Sequence, residues 1–172
     1  MRPLSVDACL QPIVAVCLTA CVVAGGWTAR ASAQGAAAAQ DLAVVVHANV
    51  PVDSLTYAEL RRLLLGDREF WTSGMRVTLL IRAPIARERD AAVRDVCQMT
   101  EAQFRQHWIG KLFRADAANG PRMVYSAEMA LEQVSRTPGA LPIVPASAAA
   151  SKAGKVLRID GKLPGQTGYR IR

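Results

Sequence analysis

The stretch of residues 55–82 constrains the fold more than any other part of this chain, because it carries a complete helix–turn–strand unit. Thr56 and Glu59 stand three residues apart, as in a capping box that begins a helix, and leucines then recur at helical spacing. Gly66 stands where a glycine in the left-handed conformation ends a helix. A turn and a short apolar run follow, which predict a buried strand that ends at Arg82.

The remainder of the chain repeats this alternation of strand-like and helix-like segments. Residues 42–48 (LAVVVHA) form a continuous apolar run, which predicts a strand buried on both faces. Thr100 and Gln103 are spaced as a second capping box, and Ser126 can cap another helix. The further predicted elements are a helix over 86–98, short strands over 123–125 and 155–159, and a strand over 141–144 that Pro142 indicates to be an edge or irregular strand. This alternation predicts an α/β fold, with a mostly parallel sheet flanked by helices, in one domain.

Three segments together carry a resemblance to a known family. They are LTYAELRRLLLGDREFWTSGMRVTLLIR at 55–82, FRQHWIGKLF at 104–113 and VSRTPGALPIV at 134–144. Their leucine-rich helix, their tryptophans and their Pro-Gly-Ala step into a late strand resemble the phosphate-type (PstS-like) periplasmic substrate-binding proteins. The resemblance extends from Val44 to about Ala146. It implies one lobe of a type 2 periplasmic-binding-protein-like fold, in which two lobes clamp the ligand.

A candidate anion site follows from the strand that ends at Arg82. In open α/β sheets, ligands bind beyond the carboxyl ends of the strands, and the free N–H groups at a helix start favour anions. The resemblance implies that this arginine is followed by Ser-Gly-Thr, which donates hydroxyl and amide hydrogen bonds to phosphate. This chain has Ala86, Arg87 and Glu88 there instead, so two hydroxyl donors are replaced and a carboxylate that repels an oxyanion is introduced.

Two arginines close to this strand end leave two interpretations open. In the first, Arg87 and Arg89 bind the anion through bidentate contacts. In the second, they are solvated helix-surface charges, paired loosely with Glu88 and Asp90. The candidate site comprises Arg82, Ala86, Arg87 and Arg89.

The start of the chain has the pattern of a targeting segment. Residues 1–33 contain an apolar core over 13–26 and end in Ala-Ser-Ala, which predicts a signal peptide cleaved after Ala33. The alternative is a lipobox, Leu-Thr-Ala followed by Cys21, in which Cys21 is lipidated and anchors the protein at the envelope. Both routes predict export.

The predicted organisation downstream is simple. It comprises a tether over 34–40, the α/β domain over 41–160, and a Gly- and Pro-rich loose C-terminal tail over 161–172. Cys97 is the only cysteine left after cleavage, so an intramolecular disulfide is excluded. Its neighbours on an apolar helix face indicate a small buried hydrophobe.

Charge and motifs narrow the classes of function. The chain carries 21 Lys and Arg against 14 Asp and Glu, a net charge of +7. Such a positive field favours anionic partners. Export and the lack of a stacking-aromatic motif argue against nucleic acid. The sequence also lacks paired metal-ligand spacings, nucleophile motifs and paired catalytic carboxylates, so no metal, no cofactor and no enzymatic activity are predicted.

The sequence therefore predicts an exported, periplasmic solute-binding-like protein that binds phosphate or a similar oxyanion weakly. Its partner is expected to be an ABC transporter or another envelope protein. The alternative is a ligand-less protein-interaction module of an envelope complex on the same scaffold, which the replacement of Ser-Gly-Thr favours. Contact with a membrane is expected only if Cys21 is lipidated.

Overall fold

The computed structural model describes residues 41–150 and 154–172. The predicted signal peptide (1–33), the lipidation at Cys21 and the tether (34–40) lie outside the described residues. The strands are β1 (Leu42–Val46), β2 (Ser54–Leu55), β3 (Thr78–Arg82), β4 (Arg122–Val124), β5 (Ala140–Pro145), β6 (Lys155–Val156) and β7 (Arg158–Ile159). The helices are α1 (Tyr57–Leu64), α2 (Arg87–Asp90), a π-helical segment (Ala91–Val96) that continues α2, α3 (Glu101–Phe113), α4 (Ala127–Arg136) and α5 (Ala146–Ala149). Within the described ranges, no helix has the length and the apolar character that crossing a membrane needs.

Five strands form one mixed sheet in the order β4-β3-β5-β1-β6. β3 runs parallel to β4 and β5, whereas β1 runs antiparallel to β5 and β6. Only β1 therefore opposes the direction of the other four strands, and apolar clusters lie on both faces of the sheet. This confirms the predicted α/β class with a mostly parallel sheet. β2 and β7 pair in parallel outside that sheet.

Helix α1 begins and ends as its sequence predicts. Thr56 accepts a hydrogen bond from the backbone N–H of Glu59, and the Glu59 carboxylate accepts one from the N–H of Thr56, which completes the capping box. Gly66 follows the helix with a φ of +70°. A Cβ at this position would lie 2.5 Å from the ring of Trp108. Glycine is needed here both for its backbone conformation and for the space it leaves.

Strand β1 is buried on both faces, which confirms the prediction from its continuous apolar run. Successive side chains point to opposite faces of a strand. Leu42, Val44 and Val46 accordingly pack in the larger core cluster, on the side of α1 and α3. Ala43 and Val45 pack in the smaller cluster, on the side of α4.

Strand β5 occupies the centre of the sheet, so the expectation that Pro142 marks an edge or irregular strand is wrong. β5 pairs with β3 as far as Pro142 and with β1 from Ile143 onward. The missing N–H of Pro142 falls where one ladder ends and the other begins, and it therefore interrupts neither.

The C-terminal residues are packed against β1, which corrects the expectation of a loose tail over 161–172. Ile171 is fully buried, and its carbonyl accepts a hydrogen bond from the N–H of Leu42 at 3.0 Å. Tyr169 is also buried and donates its hydroxyl proton to the carbonyl of Leu42 at 2.6 Å. The Gly and Pro content of the segment led to the prediction of a loose tail, although Tyr169 and Ile171 are buried.

The helix predicted over 86–98 is α2 followed without a break by the π-helical segment. The N–H of Cys97 donates to the carbonyl of Ala92, five residues earlier, at 3.1 Å. Cys97 is free and buried, and burial raises the pKa of its thiol to about 12. The side chain is thus a small buried hydrophobe, as the sequence predicts.

Candidate functional site

Arg82 ends β3 at the carboxyl edge of the parallel strands, where its backbone pairs with Val124 of β4. Its side chain is only 16% exposed. The guanidinium nitrogens Nε and Nη1 are buried, and neither has a hydrogen-bond partner among the described residues. Buried charged donors without partners are uncommon in folded proteins, because each costs free energy.

Glu88 provides the nearest counter-charge to Arg82. Its residue exposure is 8%, and its Oε2 lies 3.6 Å from Nε of Arg82. This distance gives an ion pair and is too long for a hydrogen bond. The Glu88 carboxylate therefore lies beside the arginine of the candidate site.

The connections from β3 to α2 and from β4 to α4 begin at the same edge of the sheet, because β3 and β4 are parallel neighbours. The N–H of Ala83, just after β3, donates to the carbonyl of Val124 at 2.9 Å. Ser126 caps α4 by accepting a hydrogen bond from the N–H of Met129 at 3.0 Å. Hydrogen bonds from its own N–H and from the Ser126 hydroxyl lower the pKa of Glu128, and the charge of Arg82 adds to this. Arg82 thus lies near the starts of both α2 and α4.

The turn between β3 and α2 is strained and poorly capped. Ile85 has a φ of +76°, which is unfavourable for a β-branched residue, and it is 96% exposed. Ala86 is the N-cap of α2 and makes no side-chain capping hydrogen bond. Its methyl group supplies no donor to an anion. Arg87 follows as the first, exposed residue of α2.

Arg89 is engaged within the protein. Its Nη1 donates to the carbonyl of Arg82 at 2.9 Å. Its Nε and Nη2 donate to the two carboxylate oxygens of Glu101, the first residue of α3, at 2.9 and 2.5 Å. Each of the three nitrogens therefore has a protein acceptor already. The pairing with Glu88 or Asp90 that the sequence offered as an alternative is replaced by one with Glu101.

Three residues near Arg82 were missed by sequence reasoning. Glu101 belongs to the next helix, Glu128 reaches this edge through the pairing of β3 with β4, and the conformation of Ile85 leaves no sequence signal. Only the capping pattern at Thr100 could have placed Glu101 at a helix start. Among the described residues, no group of three or more His, Cys, Asp or Glu side chains could hold a metal ion.

The fold is similar to that of solved phosphate-type substrate-binding proteins. No protein-family model and no curated protein sequence matches it. Solved structures do match, and they include PstS from Borrelia burgdorferi (TM-score 0.56, 15% identity) and an ABC-type phosphate transport receptor from Vibrio cholerae (TM-score 0.58, 19% identity). A third is a Clostridium perfringens structure with bound phosphate, assigned to the phosphate ABC transporter substrate-binding proteins (TM-score 0.57, 14% identity).

Each match covers 72% of this chain and 46–49% of the solved chain. The chain therefore spans about half the length of these binding proteins, consistent with a single lobe. At these identities the likeness shows the fold alone.

Proposed function

We propose that this protein is an exported, periplasmic solute-binding-like protein that binds a small oxyanion such as phosphate weakly at Arg82. One observation supports this most directly: the Arg82 guanidinium is only 16% exposed, and its Nε and Nη1 lack hydrogen-bond partners among the described residues. A buried donor without a partner costs about 1–3 kcal/mol, and more when it is charged. An oxyanion would supply acceptors in the paired geometry that a guanidinium favours.

Glu88 makes this binding weak. Its carboxylate offsets the charge of Arg82 from 3.6 Å without satisfying the donors. An incoming anion must therefore compete with the Glu88 carboxylate for the Arg82 guanidinium. We expect a dissociation constant of about 1 mM or weaker, which corresponds to about 4 kcal/mol of binding free energy.

The surrounding charges favour an anion that carries a proton. Glu88 and Glu128 both lie near Arg82. Phosphate near neutral pH keeps a hydroxyl that can donate to a carboxylate, whereas sulfate offers acceptors only. Discrimination by an unpaired, repulsive contact is a common route to specificity. We therefore expect phosphate to bind more tightly than sulfate.

The likeness in fold supports the same class of ligand. The Clostridium perfringens structure holds bound phosphate, and the Vibrio cholerae structure is that of a phosphate transport receptor. The pattern of a signal peptide over residues 1–33 supports export. An ABC transporter or another envelope protein is the partner that these properties suggest.

Isothermal titration of residues 34–172 with phosphate and with sulfate tests the proposal. The variants are Arg82→Gln, Glu88→Ser and, as a matched control, Arg94→Gln. Arg94 is 72% exposed and pairs with Asp90 on the surface, so its loss removes the same charge away from the site.

We expect weak phosphate binding by the wild type, no binding by Arg82→Gln and unchanged binding by Arg94→Gln. Glu88→Ser should bind phosphate about tenfold more tightly, because a like charge next to the anion is removed. Absence of binding by both the wild type and Glu88→Ser would overturn the proposal.

A ligand-less protein-interaction module remains the second candidate, and a specific feature favours it. Ile85 and Tyr125 are 96% and 66% exposed at the same edge of the sheet as Arg82. Exposed apolar side chains beside an internally neutralised arginine suit a protein surface. Binding of phosphate by Glu88→Ser but not by the wild type would favour this second function, because the protein's own carboxylate would then close the site.

A further inference from the structure

We propose that Arg89 and Glu101 are positioning residues that clamp the turn between β3 and α2, and that they thereby fix Arg82 and Glu88 in place. The site they position is the one assigned above, so the binding part of the test rests on the proposed function. The clamp itself rests only on contacts within the protein.

The contacts of Arg89 join three separate elements. Its Nη1 holds the carbonyl of Arg82 at the end of β3, at 2.9 Å. Its Nε and Nη2 form a bidentate pair with Glu101 at the start of α3. The Arg89 side chain is 12% exposed and that of Glu101 is 39% exposed, so solvent screens this pair less than it screens a fully exposed one. The end of β3, the start of α2 and the start of α3 are thus tied by one side chain.

Within the turn that the clamp spans, the N–H of Ala86 donates to the carbonyl of Ala83 at 3.3 Å, a longer contact than the hydrogen bonds of Arg89. Ile85 adopts a φ of +76°, a conformation that a β-branched residue holds only when its surroundings impose it. Its side chain is 96% exposed and so contributes little packing that could impose this conformation. Ala86 offers no side-chain cap to α2. Arg89 follows these residues, and its hydrogen bond to the carbonyl of Arg82, which precedes them, links the two ends of the strained turn.

A second ion pair on the same helical run provides the contrast. Arg94 Nη2 lies 2.9 Å from Asp90 Oδ2, at nearly the same distance as the bonds of Arg89. These two side chains are 72% and 56% exposed, and the pair links only two positions of one helix. Exposed pairs of this kind contribute little. Arg94 and Asp90 are therefore matched controls for Arg89 and Glu101.

The consequence for the site is that loosening the clamp should misplace Arg82. Glu88 lies on the clamped segment, between Ala86 and Arg89, and it faces Arg82 at 3.6 Å. To separate the position of Arg82 from competition by Glu88, anion binding is best measured in the Glu88→Ser background, where the competing carboxylate is absent. There, Arg89→Lys tests the position of Arg82 and its neighbouring backbone without competition from the Glu88 carboxylate.

The experiment combines amide hydrogen exchange with phosphate titration. The variants Arg89→Lys and Glu101→Gln are compared with Arg94→Lys and Asp90→Asn. Lysine keeps the charge of Arg89 but cannot bind both carboxylate oxygens and the Arg82 carbonyl with one planar group. We expect exchange over residues 83–88 to accelerate about tenfold in Arg89→Lys and Glu101→Gln, with little further change in the double variant. Exchange in β1 should stay unchanged, which separates local opening from global destabilisation.

Phosphate affinity in the Glu88→Ser background should fall about tenfold with Arg89→Lys and stay unchanged with Arg94→Lys. Exchange over residues 83–88 that is the same in Arg89→Lys as in Arg94→Lys would overturn the clamp. If neither the wild type nor any variant binds phosphate, the proposed function is wrong. The exchange data still test the clamp in that case. If Arg89→Lys fails to fold by circular dichroism, Glu101→Gln gives the same comparison.

Discussion

The most demanding prediction on stability concerns Ile171, near the end of the chain. Its side chain is 0% exposed and belongs to the larger core cluster. Truncation of a fully buried isoleucine to alanine removes its transfer free energy and leaves a cavity, at a cost of 2–5 kcal/mol in known cases. Because the neighbouring Tyr169 is held to Leu42 by a 2.6 Å hydrogen bond, the site has little freedom to collapse. We expect Ile171→Ala to lower the free energy of unfolding by about 3 kcal/mol.

Urea unfolding of residues 34–172, followed by tryptophan fluorescence, measures this change. Trp71 and Trp108 are both buried, so their emission reports on the core. Ile109→Ala is the matched control, since Ile109 is 52% exposed on α3 and loses the same atoms. The control should cost less than about 1 kcal/mol.

The two interpretations of the tail differ sharply in this assay. A loose tail would make Ile171→Ala as mild as an exposed substitution, within about 0.5 kcal/mol of the wild type. That result, with an unchanged dependence on urea concentration, would refute the packing of the C-terminal residues against β1.

Three further predictions concern single residues. Gly66→Ala should destabilise the protein by more than about 1 kcal/mol in urea unfolding, because its φ is positive and its Cβ would meet Trp108 at 2.5 Å; stability equal to the wild type would contradict this. Arg89 lowers the pKa of Glu101 by hydrogen bonding, so Glu101 stabilises the fold above its unfolded pKa of about 4.3 and loses this as pH falls through its lower folded pKa. The stability difference between wild type and Glu101→Gln should thus be constant from neutral pH down to about pH 5 and shrink in stronger acid; a difference that persists in strong acid would show another cause. Cys97 should resist thiol reagents at neutral pH until the protein unfolds, since burial raises its pKa to about 12; rapid labelling of the folded protein would contradict its burial.

Local patterns were sufficient for the elements whose causes are local. The capping boxes at Thr56 and Thr100 and the glycine at Gly66 specify helix ends through neighbours a few residues away, and the structure has all three. The continuous apolar run of β1 likewise reports burial on both faces without knowledge of its partners.

Long-range pairings were beyond the reach of such patterns. Pro142 suits a central strand only because two ladders change over at its position, which depends on strand order. The Gly and Pro content of the tail hid the packing of Tyr169 against Leu42.

The candidate site could likewise be predicted only where local sequence determines it. The position of Arg82 at the end of a strand follows from the apolar run before it. The pairing of Arg89 with Glu101 could not be predicted from local patterns, because Glu101 lies twelve residues away on another helix.

In the proposed function, the Arg82 guanidinium contacts the anion in competition with Glu88. Nitrogen–proton NMR correlation of arginine Nε–Hε groups measures this contact at the atom concerned, during titration with phosphate at constant pH and ionic strength. We expect a saturable shift of the Arg82 resonance, at lower phosphate concentration in Glu88→Ser than in the wild type, while the resonance of the exposed Arg94 stays unshifted. An Arg82 resonance that does not respond in Glu88→Ser, or that shifts no more than Arg94, would contradict the proposed function.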